Sequence, residues 1–279
     1  LVAGVAGMAG LVVALMVGLA AGWLLRGDGS TDDGGDLTAT EVVRLMDELA
    51  DGSTDFEFDE PTERALDEDI AADIADLFNH LTGFGSPQRF RKILVAPFTL
   101  RSRLIEEIRN VAAAAGDGRS ARIKVKVNAL TDSAIIEELY MASDAGVAID
   151  LITRGICSLR PGVAGLSENI RVRSVLGRFL EHSRVFIFDA DGTQRVFVGS
   201  ADLMPRNLDH RIEVVVPVQD PVVAAKLESV VDTLLADNVT AWSLKPDGRW
   251  ERLRPRPGEP KKPSQAALMQ LARDRTMLH

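Results

Sequence analysis

Residues 122–153 read RIKVKVNALTDSAIIEELYMASDAGVAIDLIT, and this stretch decides the fold. Basic and apolar residues alternate over 122–130, which predicts a strand with one face on a core. Residues 133–143 have the apolar spacing of a helix, and 147–153 form a second apolar run. A strand, a helix and a strand in succession predict parallel strands with the helix packed against them.

The segments on either side continue this alternation. A short buried strand is predicted at 92–96 and a helix at 100–115, preceded by a helix from Ile70 to Leu81 that ends at Gly83. Further strands are predicted downstream, at 170–175, 185–189, 194–199 and 211–218. A helix at 220–236, a hairpin within 240–253 and a short helix at 265–273 complete the pattern. The sequence therefore predicts an α/β fold with a mixed sheet flanked by helices.

The first 69 residues differ in character from the rest. Residues 2–25 carry no charge and are long enough to span a bilayer, with Trp23 and Arg26 placed as interfacial anchors. A signal peptide is the alternative, although it would need a basic beginning that this segment lacks. We therefore expect a transmembrane helix over 1–26. An acidic and largely disordered linker is expected over 27–69, with a short helix possible at 41–50. A folded domain over 70–255 and a Pro- and Lys-rich tail over 256–279 follow. This organisation predicts a membrane-associated protein with its folded domain in the cytoplasm.

Charge is also divided unevenly along the chain. Residues 1–80 contain 18 Asp and Glu against 3 Lys and Arg, a net charge of −15, so the remainder carries +6 of the total of −9. The basic part is the one expected to meet an anionic ligand, and the acidic part argues against nucleic-acid binding by the whole chain.

Arg154 directly follows the predicted strand at 147–153, within the run TRGICSLRPG. Ligands of open α/β sheets bind at the carboxyl ends of strands, and the donors of an arginine suit phosphate oxygens. The alternative is an ordinary surface ion pair.

A second candidate group surrounds His182. Arg178 and His182 precede the strand at 185–189 together with Arg184, which lies two residues after the histidine. Asp189 follows, and then Gly199, Ser200 and Asp202. A histidine beside a cation and a hydroxyl can donate to a phosphoryl group or attack it, so His182 is the candidate catalytic residue. The alternative is a hydrogen-bonded structural histidine.

Arg206 and Arg211 flank a predicted turn before the strand at 211–218. They could clamp a phosphate, or they could belong to a solvated charged turn. The sequence has no Cys and His spacing typical of a metal site and no phosphate-binding glycine loop, so no metal ligands are predicted.

These groups, in this order, resemble the carboxy-terminal part of bacterial polyphosphate kinases. The resemblance covers residues 70–255 and is carried by seven runs, at 76–83, 94–101, 150–162, 166–172, 177–184, 199–211 and 236–239. It implies a phospholipase D-like fold, in which two related halves each bring a histidine to a shared site. It also implies reversible transfer of the terminal phosphate of ATP to a histidine and then to polyphosphate, with Mg²⁺.

The resemblance assigns roles to several residues of this chain. One functional residue of the family, the phosphate-accepting histidine, has no counterpart in this sequence. It implies that Arg154 and His182 contact the ATP phosphates and that Arg206 and Arg211 lie near the triphosphate. The phosphate-accepting histidine of the family lies in a His-His-Pro-Tyr run of the preceding half, and this sequence has no His-His pair. We therefore expect the metal ligands and the phosphorylated histidine to lie outside this sequence.

Three functions follow as hypotheses. The chain could be a polyphosphate kinase, with ATP, ADP and polyphosphate as ligands, that needs a separate chain for full activity. It could instead be a homodimeric phospholipase D-like phosphodiesterase that builds one site from two copies of His182. It could also be a non-catalytic, membrane-tethered protein that binds polyphosphate or ATP.

Overall fold

The structure is a computed structural model that describes residues 67–83 and 90–276. The predicted transmembrane segment, the predicted helix at 41–50 and nearly all of the acidic linker lie outside these residues, so they stay predictions, as does the membrane localisation. Within the described ranges, no helix is both long and apolar enough to cross a membrane. Contacts divide the chain into two compact units, of which Ile93–Leu271 is the larger.

In the smaller unit, helix α1 (Glu68–Leu81) confirms the helix predicted in this region. Asp67 caps it by accepting from the amides of Asp69 and Ile70, which satisfies donors that the first turn leaves without partners. The predicted apolar face is buried at Ile70, Ile74 and Leu77.

The larger unit contains strands β1 (Leu94–Ala96), β2 (Ala121–Val127), β3 (Ala148–Thr153), β4 (Ile170–Val175), β5 (Val185–Ala190), β6 (Thr193–Gly199), β7 (Glu213–Val218), β8 (Ala241–Leu244) and β9 (Trp250–Arg252). Its helices are α2 (Leu100–Gly116), α3 (Ser133–Asp144), α4 (Pro205–His210), α5 (Pro221–Leu235) and α6, which spans Ser264–Thr276 and passes beyond this unit. The described strands form one mixed sheet in the order β1-β7-β6-β5-β2-β3-β4-β8-β9.

A strong core forms on each face of this sheet. Alternate residues of β2, such as Ile123 and Val125, belong to a large apolar cluster that also contains Leu104 of α2 and Leu139 of α3. Burial of each such side chain contributes about 1.5–3 kcal/mol. The opposite face forms a smaller cluster, in which Leu234 of α5 lies with strand residues. Both cores fix the strands whose ends carry the candidate site.

The structure corrects two details of the sequence prediction. β1 does not join the parallel strands β2, β3 and β4, because it pairs antiparallel with β7 at the far side of the sheet. The predicted turn between Arg206 and Arg211 contains a short helix, α4, with Pro205 in its first turn. Proline favours this position because it has no amide hydrogen to satisfy there.

Candidate functional site

The strand register brings four distant parts of the chain to one edge of the sheet. Lys126 near the end of β2 lies opposite Val185 at the start of β5, and Val185 lies opposite Val198 near the end of β6. β3 runs parallel to β2 and ends at the same edge. The residues that follow β2, β3 and β6, and those that precede β5, therefore meet there.

The loops after these strands hold one another in place. Leu130 forms β-bridges to both Cys157 and Leu203, which lie after β3 and β6. The amide of Gly155 donates to the carbonyl of Asn128 over 2.7 Å. A Cβ atom at Gly155 would lie 3.3 Å from that oxygen, so glycine permits this close approach. The edge is thus a set of mutually braced loops.

The His182 ring is oriented by Asn128. The Asn128 Nδ2 atom lies 2.9 Å from His182 Nδ1 and 3.3 Å from an oxygen of Asp202. A carboxylate only accepts hydrogen bonds, so Asp202 favours the orientation in which the Asn128 amide nitrogen faces both groups. Nδ1 of His182 then accepts, and the ring proton lies on Nε2.

The charge state of His182 agrees with this tautomer. Partial burial lowers the pKa of His182, and the cations Arg184 and Arg154 lower it further, against an opposing effect of Asp202. His182 is therefore neutral at neutral pH and offers an Nε2–H group as a donor.

Asp202 and Arg184 form a nearly buried ion pair next to His182. Arg184 donates to the two oxygens of Asp202 over 3.3 and 3.1 Å, and its third nitrogen donates to the His182 carbonyl over 2.8 Å. Burial alone would raise the pKa of Asp202, but the donors from Arg184 and Asn128 outweigh it and the pKa is lowered. The predicted phosphate contact of Arg184 stays a prediction, since these bonds already occupy much of its guanidinium.

A second buried cation fixes the segment that carries His182. Lys126 donates to the Ser183 carbonyl over 2.7 Å and forms an ion pair with Glu181. The Ser183 hydroxyl donates to the same carboxylate over 2.6 Å. Burial lowers the pKa of Lys126, against the opposing charge of Glu181. Residues on both sides of His182 are therefore tied to β2.

Arg154 has a buried guanidinium nitrogen that is not used within the described structure. Its Nη1 atom is buried, and none of the described residues accepts a hydrogen bond from it. It lines a small cavity with Lys126 and Glu181, walled by Val127, Ile152, Val175 and Leu234. A buried donor without a partner costs about 1–3 kcal/mol, which an incoming oxygen would recover.

The remaining predicted residues divide into two sets. Ser200 lies beside the site, but its hydroxyl is bonded to β7. It donates to Glu213 over 2.5 Å and accepts from the Val214 amide. Asp189 is not brought to this edge. It lies near the far end of β5, where its carboxylate accepts from the amide of Gly192 in the hairpin turn.

Three exposed arginines were also predicted here. Arg206 lies in the first turn of α4 and Arg211 caps its other end. Arg178 lies over the ring of Phe179, with 5.6 Å between its guanidinium carbon and the ring centroid. None of the described residues forms a hydrogen bond or an ion pair with the side chain of Arg206 or Arg211, and their predicted phosphate contacts stay predictions.

Sequence reasoning missed Asn128 and Lys126. Both are brought to His182 by pairing of β2 with β5, between residues more than 50 positions apart. The sequence contains only a weak indication of their role. Lys126 and Asn128 occupy alternate positions at the end of β2, and β2 lies beside β3, which Arg154 follows.

The described residues of this edge do not fit a magnesium site. Within 67–83 and 90–276, no three Asp, Glu, His or Cys side chains are arranged to hold a metal ion. The acidic groups of this edge, Asp202 and Glu181, are already paired with Arg184 and Lys126. Magnesium remains an implication of the family.

Comparisons with known proteins show the family to which this chain is similar. The family described as polyphosphate kinase C-terminal domain 2 matches residues 93–265. The chain is 48% identical over 202 residues to the polyphosphate kinase of Thermosynechococcus vestitus, covering 72% of this chain and 28% of that protein. It is 50% identical over 186 residues to the polyphosphate kinase of Streptomyces coelicolor, covering 67% of this chain and 25% of that protein.

A solved structure supports the same relationship. The crystal structure of polyphosphate kinase from Porphyromonas gingivalis matches with a TM-score of 0.73 and 33% identity, covering 79% of this chain and 35% of that chain. The chain spans about a quarter of the length of the two curated relatives named above. The family match covers more than half of the 279 residues, so this chain belongs to the polyphosphate kinase family, in its carboxy-terminal domain.

Proposed function

We propose that the larger unit supplies one half of an ATP:polyphosphate phosphotransferase site. This is the half that carries the second active-site histidine, His182, and not the histidine that accepts the phosphate. The observation that carries the proposal is the buried Nη1 donor of Arg154, which has no partner among the described residues. It lies at the same sheet edge as His182, whose hydrogen bond with Asn128 leaves Nε2 as the donor atom. Arg154 is near enough to lower the pKa of His182. Both groups then offer donors to one anionic ligand.

In this proposal, the residues of the site have separate tasks. Arg154 binds oxygens of the transferred phosphoryl group and stabilises the charge that develops on them. His182 donates a hydrogen bond from Nε2 to a phosphate oxygen and keeps its proton, because a neutral imidazole is a hydrogen-bond donor rather than a general acid. Asn128 and the Asp202–Arg184 pair position the ring.

We propose further that the 279 residues do not complete the reaction alone. The four histidines of the sequence are isolated from one another, so none forms the paired motif expected for the phosphate acceptor. A separate chain or a further segment would supply it. Purified chain with ATP and Mg²⁺ should then make little polyphosphate, and robust unaided synthesis would contradict this part of the proposal.

A chimera tests the assignment of function directly. Residues 93–265 would replace the matching part of the Streptomyces coelicolor polyphosphate kinase, and polyphosphate synthesis from ATP would be measured. We expect an active chimera that loses activity on His182→Ala or Arg154→Ala. Arg119→Ala is the matched control, because Arg119 is paired with Asp117 beside the start of β2, at the opposite edge of the sheet. An inactive parent chimera, or full activity of the His182→Ala form, would contradict the proposal.

A further inference from the structure

A cavity separate from the His182 cluster opens where β9 ends. Its volume is about 390 Å³, and its lining comprises Val239, Arg252, Leu253, Arg254, Pro255 and Lys261. All charged residues in this described lining are basic, and their side chains are exposed. A concave surface whose charges are all positive favours an anionic ligand.

The walls of this cavity are held by hydrogen bonds. Asn238 donates to the Pro260 carbonyl over 3.1 Å and accepts from the Lys262 amide over 2.8 Å. These bonds fix the backbone on both sides of Lys261. Arg252 donates to the Val239 carbonyl over 3.1 Å, which holds its side chain across the cavity. The cations are therefore partly preorganised, so a ligand would lose less entropy in ordering them.

The sheet topology places this cavity on the same edge as Arg154. β8 pairs antiparallel with β4, with Ala241 opposite Val175 at the end of β4. β9 pairs antiparallel with β8, so Arg252 lies at this edge too. The cavity is three strands from β3, a distance of about 14 Å at the usual strand spacing.

A direct contact links the two regions. Gln265 follows the basic segment, and its side-chain amide donates to the Phe179 carbonyl over 2.9 Å and accepts from the Phe179 amide over 3.1 Å. Phe179 belongs to the loop that carries His182. The loop before His182 and the segment after Lys261 are thus joined by two hydrogen bonds.

Other basic residues of the hairpin do not contribute to this cavity. Lys245 and Arg249 lie at the opposite end of β8 and β9 and are paired with Glu251 and Asp247. The cations near the hairpin turn are thus neutralised, whereas Arg252, Arg254 and Lys261 in the cavity lining form no ion pair with any residue that the structure describes. This contrast supplies a matched control.

We propose that the cavity lined by Arg252, Arg254 and Lys261 is a second subsite for linear polyphosphate, separate from the residues that meet the reacting phosphate. The inference rests on the proposed function for its choice of ligand. A linear polyanion can reach both places along the sheet edge, whereas a triphosphate held at Arg154 is too short to do so. Long chains would therefore gain affinity that short ones cannot.

Binding of two ligands to the full chain tests this subsite. Isothermal titration would compare tripolyphosphate with long-chain polyphosphate for wild type, for Arg254→Ala with Lys261→Ala, and for the control pair Lys245→Ala with Arg249→Ala. The cavity pair should lose about tenfold or more in long-chain affinity and show a weaker salt dependence, because two cationic contacts are removed. Its tripolyphosphate affinity should be unchanged. The control pair, which removes the same charge, should resemble wild type.

The outcomes separate this subsite from the proposed function. Equal losses in the two double variants, an equal loss for both ligands, or no long-chain binding by wild type would overturn the subsite. If the cavity pair alone weakens long-chain binding while Arg154→Ala leaves tripolyphosphate binding intact, the subsite stands and the proposed function is wrong.

Discussion

Asn128 and His182, 54 residues apart in the sequence, are joined by a hydrogen bond of 2.9 Å from the Asn128 amide nitrogen to His182 Nδ1. The backbone amide of Asn128 also donates to Asp202 over 2.7 Å, which fixes the position of the residue itself. One residue at the end of β2 therefore sets both the orientation and the tautomer of the candidate catalytic histidine.

Replacing Asn128 by alanine should change that tautomer. Without the amide donor, Nδ1 is free to carry the proton, and a mixture of the two neutral forms should appear. Nitrogen-resolved NMR of the His182 ring measures this, with the Nε2–H form dominant in wild type. Asn169→Ala is the control. Asn169 directly precedes β4, away from the site, and its side-chain amide donates to the Ser143 carbonyl. A wild-type ring protonated mainly on Nδ1 would contradict the assignment.

The pH response of His182 should depend on Arg154. Burial, Arg184 and Arg154 hold its pKa below the ordinary value of 6.5, so removing the charge of Arg154 should raise the pKa. An NMR titration of Arg154→Gln should show the increase, whereas Arg160→Gln, at an exposed position in the following loop, should leave the pKa unchanged. A decrease in Arg154→Gln would show that the two groups are not coupled as described.

The sign of the linked stability change follows from the same shift. The folded-state pKa of His182 is lower than its unfolded value, so the unfolded chain binds more protons as the pH falls through 6.5. The contribution of His182 to stability is therefore present above this pH and is lost as the pH falls below it. Arg154→Gln should make this loss smaller, which urea unfolding at a series of pH values would measure.

Gly199 should resist substitution because β7 lies directly against it. A Cβ atom at this position would overlap the carbonyl oxygen of Val214, which is backbone and has little freedom to move. Gly199→Ala should therefore reduce the free energy of unfolding by about 1–3 kcal/mol. Gly116→Ala is the matched control, since a Cβ there meets no atom within 4 Å. Equal stability of the two variants would show that the strands adjust without cost.

Gln265 should stabilise the loop before His182. Its amide group bonds both to the donor and to the acceptor of the Phe179 backbone, and Gly177 leaves room for it because a Cβ there would overlap its side chain. In Gln265→Ala, hydrogen exchange of the Phe179 amide should become faster, because this amide loses the Gln265 oxygen that accepts its hydrogen bond. The exposed Gln219→Ala should leave that exchange unchanged. Unchanged protection in Gln265→Ala would mean that other contacts hold the loop.

Part of this site was predictable from local patterns. Arg154 follows an apolar run and His182 precedes one, so both were expected at strand ends, where ligands bind in α/β folds. Arg154 was singled out correctly as a residue of this edge, and its unused donor could be seen only in the structure.

The rest depends on pairing that a single sequence does not specify. Asn128 and Lys126 reach His182 only because β2 lies beside β5, and β1 pairs with β7 across more than 100 residues. Asp189 was grouped with His182 because it follows closely in sequence, but the extended strand between them carries it to the other end of β5. The length of β5 separates Asp189 from His182, whereas pairing of β2 with β5 brings Asn128 and Lys126 to His182 from more than 50 residues away.

In the proposed function, Arg154 binds the phosphates of the ligand beside a neutral His182. Isothermal titration of tripolyphosphate into the full chain and into its Arg154→Ala form tests it most directly. Loss of one charge-assisted hydrogen bond worth about 1.5–3 kcal/mol should weaken binding by about 10- to 100-fold, whereas Arg119→Ala should bind like wild type. Equal affinity of the Arg154→Ala form and wild type would contradict the claim.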